Sequence, residues 1–208
     1  MKGIFDSRTK LMIAILAGIL LMSGCIQPKT TSTNFTEHTV SQLWKPDGIT
    51  GSGEYSRSQV MSEVGGMGRT FEVHWKNDAE YLYMAMKANT TGWIAVGFEP
   101  TDWMKDAEIV MGYVNNGSAA VQDQYSTGNY GPHIPITQLG GTNSILDSGG
   151  KQEDGSTIIE FKRRMNAGDK YNKIFTSGQI VPIIWGFSDS KSSDVKHIAD
   201  GKGELYLQ

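Results

Sequence analysis

Apolar and polar residues alternate through most of the chain beyond residue 68, and a period of two predicts strands rather than helices. In Arg69–Trp75 (RTFEVHW), Phe71, Val73 and Trp75 share one face, with Glu72 and His74 on the other. Asn77-Asp78 marks a turn. Glu80–Ala88 (EYLYMAMKA) returns with Leu82, Met84 and Met86 alternating against Tyr81, Tyr83 and Ala85, so the two runs predict a hairpin. Gly92–Phe98 (GWIAVGF) is apolar on both faces, as in a buried strand. After Pro100, the run Ala107–Val114 resumes the pattern and breaks at Asn115-Asn116-Gly117, a turn sequence from which Ser118–Tyr125 returns as the hairpin partner. Ser126–Gly155 is dense in Gly, Pro, Asn and Ser without a sustained period, and predicts long loops. Ser156–Arg164, Gln179–Ser188 and Gly203–Leu207 predict three further strands, and Asn166–Thr176 has room for a helical turn. No stretch carries an amphipathic helix of three turns. The fold class is all-β, a sandwich or barrel.

The N-terminus has a different grammar. Lys2, Arg8 and Lys10 face a single acid, Asp6, and precede the apolar run Leu11–Met22 and then Ser23-Gly24-Cys25. This is a signal-peptide layout. The run is short for a bilayer span, which needs about 20 apolar residues, and the small residues before Cys25 resemble a lipobox, with Met22 where leucine is usual. Residues 1–24 are therefore expected to be a signal peptide, 25–39 a lipidated Cys25 with a flexible Thr/Ser/Asn/Pro stalk, and 40–208 one domain. An uncleaved anchor is the alternative. Both put the domain on the extracytoplasmic side of the cell envelope, held to the membrane.

Cys25 is the only cysteine, so no intrachain disulfide or thiolate metal site is available. The lack of a C-x-x-C-H run excludes covalent haem attachment. Removing residues 1–24 takes away three cations and one acid, which moves the formal charge from −3 to −5. A mildly acidic surface argues against nucleic acid as a partner. No nucleophile-elbow serine, His-x-x-x-His pair or phosphate-binding glycine loop points to hydrolysis or phosphoryl transfer.

Two loops join a potential ligand to a buried strand. Met104 follows Trp103 in the connection after Gly92–Phe98, and His197 sits in the polar stretch leading to the last strand. A Gly-Trp strand, a loop methionine, VQDQYSTG after the NNG turn, DGSTIIEFKRR, an Ile-Trp-Gly strand and a late histidine before Gly201 follow one another in order. In that order they resemble the DOMON family, and within it the haem-binding members similar to the cytochrome domain of cellobiose dehydrogenase.

The resemblance implies an immunoglobulin-like antiparallel β-sandwich that holds a non-covalent haem b at one end. Met104 and His197 match the axial ligands, and Phe98, Trp103, Met111 and Tyr113 are candidates for the apolar wall. A thioether favours ferrous iron, and two filled axial positions leave none for oxygen, so the implied function is electron transfer without catalysis. The implied partner is a membrane or extracellular redox protein. Some relatives pair the methionine with a lysine, for which Lys196 is the candidate, but His197 fits the spacing before Gly201 better; Arg163 and Arg164 are candidates for the haem propionates. His133, between prolines, could stand near the site, and His74 reads as a surface hairpin residue. The alternative is a haem-free module for a sugar or other small ligand, with Trp44, Trp103, Tyr125 and Tyr130 as a stacking platform.

Overall fold

A computed structural model describes residues 44–63 and 67–208. The expected signal peptide, Cys25 and the stalk lie outside the described residues. Eleven strands form among them: β1 (Arg57–Ser62), β2 (Thr70–Asn77), β3 (Tyr81–Ala88), β4 (Ile94–Phe98), β5 (Glu108–Asn115), β6 (Ser118–Ser126), β7 (His133–Pro135), β8 (Ile145–Glu153), β9 (Ser156–Arg164), β10 (Ile180–Phe187) and β11 (Ala199–Tyr206). They build a five-stranded sheet in the order β1-β2-β3-β9-β8 and a six-stranded sheet in the order β11-β10-β4-β5-β6-β7. Every paired neighbour is antiparallel.

The alternation read from the sequence decides which side chains fill the space between the sheets. Phe71, Val73 and Trp75 of β2, Met84 and Met86 of β3, Ile94, Val96 and Phe98 of β4, and Val181, Ile183, Trp185 and Phe187 of β10 all enter one core. Across that core the Phe71 ring stacks on Trp185 with centroids 5.1 Å apart. Burying aromatic and branched side chains of this size is the main stabilising contribution available to a sandwich.

Three strands were not predicted, and one predicted element is missing. β1 is exposed at all but Met61, so its sequence shows little apolar pattern. β7 and β8 occupy part of the stretch predicted as loops, which also holds a single 3-10 turn at Ile136–Leu139. β8 is an edge strand whose run ILDSGGKQE lacks a buried position. Its Gly149 is set against the Pro46 carbonyl, where a side chain would collide. Asn166–Thr176 contains no helix; its path is held by side chains of distant strands, including Arg163 and Glu108, which bond to the Lys173 backbone.

Residues 44–55 cross the outer face of the five-stranded sheet as a strap. Glu160 of β9 holds it, accepting hydrogen bonds from Gly48 N and Tyr55 Oη, both at 2.6 Å. Trp44 Nε1 donates to the same Tyr55 oxygen at 2.8 Å.

Candidate functional site

The six-stranded sheet has a second apolar cluster on the face away from the core. Trp93, Ala95, Ala107, Ile109 and Met111 form it, with Tyr113 and Ile184 packed against them. Register explains the composition. Ala95 pairs with Gly186 on β10 and with Met111 on β5, while Gly97 pairs with Ile184 and Ile109. The middle of this face therefore carries only small side chains on β4, flanked by larger ones. A Cβ added at Gly97 would lie 2.8 Å from Ile184 Cγ1 and 3.3 Å from Ile109 Cγ1, so the floor accepts no more bulk without displacement.

One end of this face is bounded by the β4–β5 loop that carries Met104. Glu99, Trp103 and Asp106 all have positive φ there, at 48°, 52° and 62°. Such angles are unfavourable for bulky residues and persist only where surrounding contacts over-determine them. The contacts are present: Thr101 Oγ1 donates to Asp106 Oδ2 at 2.6 Å, Tyr125 Oη to Asp106 Oδ1 at 3.0 Å, and Asn129 Nδ2 to Asp102 Oδ2 at 2.5 Å. The Met104 amide donates to the Asn129 carbonyl at 3.2 Å. Together these bonds fix Met104, half-buried beside Gly131, and turn Trp103 to solvent, 58% exposed. The hydrogen bond from Thr101 holds the Asp106 carboxyl below its ordinary pKa. Burial, with the bond to Asp106, pushes the Tyr125 phenol up to about 12.

The other end is bounded by the β10–β11 loop. Trp93 Nε1 donates to the Val195 carbonyl at 3.2 Å, and Ile198 N donates to the Phe187 carbonyl at 2.8 Å. Between these anchors His197 stands over Gly186, where a Cβ would lie 3.4 Å from His197 Cβ. Its Nδ1 lies 3.1 Å from Asp200 Oδ1. Burial lowers the imidazole pKa, Asp200 opposes the shift and Lys196 adds to it. A neutral imidazole whose Nδ1–H is held by a carboxylate presents the Nε2 lone pair, the usual state of a metal-bound histidine.

Glu99 N bonds to the Pro182 carbonyl at the Met104 end, and Gly186 lies four residues further along β10. At 3.3 Å per residue this is roughly 13 Å of strand between the two ends.

The sequence profile of the DOMON domain matches residues 67–188, more than half of the chain. The chain belongs to the DOMON family. Among curated proteins it is similar to DBH-like monooxygenase protein 1 of Mus musculus, with 28% identity over 145 residues that are 70% of this chain and 23% of that protein. The Homo sapiens protein of the same name is 26% identical over 159 residues, again 70% of this chain and 25% of the relative. The chain thus spans about a quarter of the length of these relatives. Among solved structures, the cytochrome domain of Myriococcum thermophilum cellobiose dehydrogenase superposes with a TM-score of 0.52 at 13% identity, covering 73% of this chain and 82% of that one. The cytochrome b domain of pyranose dehydrogenase from Coprinopsis cinerea gives 0.51 at 12% identity, covering 69% and 79%. The fold of this DOMON domain is accordingly an all-β, two-sheet antiparallel sandwich of the cytochrome-domain type.

The sandwich sorts the sequence candidates by face. Met111 and Tyr113 belong to the outer cluster, whereas Phe98 lies in the inter-sheet core, edge-on to Phe175 at 5.3 Å. Trp103 stays exposed, its ring 5.6 Å from Tyr130. Trp44, in the strap itself, is buried against Tyr83 at 6% exposure and is not a platform residue, and Tyr125 packs edge-on to Tyr171. Arg163 is not at the surface: its side chain is wholly buried 3.1 Å from Glu108. His133 Nδ1 bonds to Gln124 Oε1 at 2.7 Å, and His74 sits by Glu72 on the five-stranded sheet. Asp200, Gly97 and Gly186 were missed. The sequence signal for them was local, an acid three residues after His197 and two glycines in apolar strands; their shared face becomes visible only through strand pairing.

Proposed function

We propose that this domain binds a b-type haem non-covalently on the outer face of its six-stranded sheet and acts as an extracytoplasmic electron carrier rather than an enzyme. Met104 and His197 are the axial ligands in this reading. The observation that carries it is His197, held over Gly186 by Asp200, with the pinned Met104 loop at the far end of the same apolar face. The residues fit the group: a soft thioether and a neutral imidazole as donors, a floor of Ala95, Gly97 and Gly186, and walls of Ile109, Met111 and Ile184. Likeness of fold to two cytochrome domains supports the same reading.

When bound, haem iron would supply one-electron exchange between its ferric and ferrous states. The chain's own residues orient and insulate it. Asp200 fixes the ring of His197, the bonds of Asp106 and Asn129 hold the Met104 loop, and the apolar floor keeps water away. A lipid on Cys25 would hold the domain within reach of a membrane or extracellular redox partner.

A second reading, a haem-free module for a sugar, is favoured by the exposed pair Trp103 and Tyr130 beside Asp102 and Asn129, since tilted aromatic faces next to polar side chains suit a pyranose ring. One experiment separates the two. The full chain purified from haem-supplied cells should show a sharp Soret band and, after dithionite, narrow α and β bands. Met104→Ala and His197→Ala should each abolish the low-spin spectrum. A colourless protein that cannot be reconstituted, or unchanged spectra in both variants, overturns the haem reading.

A further inference from the structure

A chain of amide and imidazole hydrogen bonds runs across the outer face of β7 and β6. Burial keeps His133 below its ordinary pKa and so neutral, and its Nδ1 meets Gln124 Oε1 at 2.7 Å. Gln124, 3% exposed, continues the chain: its Nε2 donates to Gln122 Oε1 at 2.7 Å. The Gln122 oxygen is thus turned toward Gln124, which leaves its amide N–H groups without a bond among the described residues. Gln122 lies beside Met111 across the β5–β6 ladder and lines a cleft of about 150 Å³ with Met111, Tyr113, Lys191, Ser192 and Ser193.

The chemistry of this cleft is one-sided. Lys191 brings a positive charge, the Gln122 amide brings two donors, and Tyr113, Ser192 and Ser193 bring hydroxyls. No acid is among the six lining residues. Lys191 forms no ion pair among the described residues. The apolar part of the lining, Met111 with the Tyr113 ring, continues into the cluster that contains Ala95 and Ile109. A ligand that fits both parts has an apolar body and ends in an anionic group, such as a carboxylate.

The two arginines that the sequence offered for carboxylate binding are elsewhere. Arg163 is consumed by Glu108 inside the core, and Arg164 ends β9 on the other sheet. Arg69 is also engaged, donating to the Ile198 carbonyl at 2.7 Å. Resting on the haem reading above, we propose that the cleft between β5–β6 and the Lys191–Ser193 turn receives the carboxylate edge of the porphyrin. Lys191 is its countercharge and the Gln122 amide its fixed hydrogen-bond donor. His133, through Gln124, braces the Gln122 side chain at the edge of the cleft.

The test compares iron protoporphyrin IX with its dimethyl ester, which keeps the ring and iron but loses both negative charges. Each is loaded into the full-length apoprotein, and its release to a haem-scavenging globin is followed at the Soret band. The wild type is expected to release the diacid about fivefold more slowly than the diester, the scale of one partly exposed charge pair. Lys191→Ala and Gln122→Leu are each expected to speed diacid release severalfold, to leave diester release unchanged, and to keep the low-spin α and β bands. Lys191→Arg should restore slow release. Equal release of both porphyrins by the wild type overturns the assignment while leaving axial ligation intact. So does a diacid preference that both variants retain. A wild type that takes up neither porphyrin overturns the haem reading and this inference with it.

Discussion

Arg163 of β9 and Glu108 of β5 meet between the two sheets, Nη1 to Oε1 at 3.1 Å, with neither side chain exposed. The contact is ionic rather than a well-aligned hydrogen bond, because Arg163 Nη1 and Nε have no hydrogen-bond partner. Other groups complete the site: Arg163 Nη2 donates to the Lys173 carbonyl at 2.8 Å, Lys173 N donates to Glu108 at 2.5 Å, and the guanidinium lies 4.3 Å from the Phe175 ring centroid. Removing one member strands the other in a low-dielectric interior. Arg163→Met alone is expected to cost about 3–5 kcal/mol, whereas Arg163→Met combined with Glu108→Leu should recover most of that loss. Urea unfolding of the two single variants and the double variant measures the coupling; simple additivity would contradict it.

A loss of stability as pH rises through neutrality follows from two buried carboxyls. Burial raises Glu108, against the opposing pull of Arg163, and Glu160 to about 7, from an ordinary value of 4.5. A folded pKa above the unfolded one contributes stability that is complete below the unfolded value and is lost as pH rises through the folded one. His133 and His197, lowered by burial, act in the opposite sense below their ordinary value of 6.5. From about pH 7 to 8 the carboxyl loss outweighs the fading histidine contribution, and the melting temperature should fall with rising pH before levelling off. Glu160→Gln should flatten that slope, and a melting temperature that climbs across this window would count against the assignment.

Gly186 gives His197 its place. A Cβ there would sit 3.3 Å from the Ala199 carbonyl oxygen and 3.4 Å from His197 Cβ, so the branched methyls of valine must press on the imidazole. Gly186→Val is expected to remove the low-spin haem spectrum while shifting the melting temperature by only a few degrees, and Gly186→Ala to do so in part. A Gly186→Val protein with the wild-type spectrum would show that His197 is not an iron ligand.

Asp200 is exposed and bonds to little besides His197, so its loss should be felt at the site rather than in the fold. Carboxylates that orient a ligating histidine are worth roughly 10–100-fold in metal affinity. Asp200→Ala is expected to weaken haem binding within that range, and Asp200→Glu to restore part of it. Soret titration of the apoprotein is the measurement; unaltered affinity in Asp200→Ala would remove Asp200 from the site.

Strand identity was legible where burial selects the side chains: alternation of Phe71, Val73 and Trp75 announced β2, and a run apolar on both faces, Gly92–Phe98, announced β4. It was illegible in β1 and β8, edge strands whose residues meet water or other backbone, so that no apolar pattern is selected. Met104 and His197 were legible as candidates because their order along the chain resembled that of a family. Their relation to each other was not, since it depends on the antiparallel ladders that set Gly186 beside Ala95 and Gly97 beside Ile184.

By itself, then, the amino-acid sequence determined the all-β class, most of the strands and the inward faces of the sandwich. These follow from local alternation and from the need to bury it. Tertiary structure alone decided that a second apolar surface lies outside the six-stranded sheet and that Arg163 is spent on Glu108. Each of these joins residues on different strands or loops, and such pairings are fixed by register and by which charges the interior can tolerate.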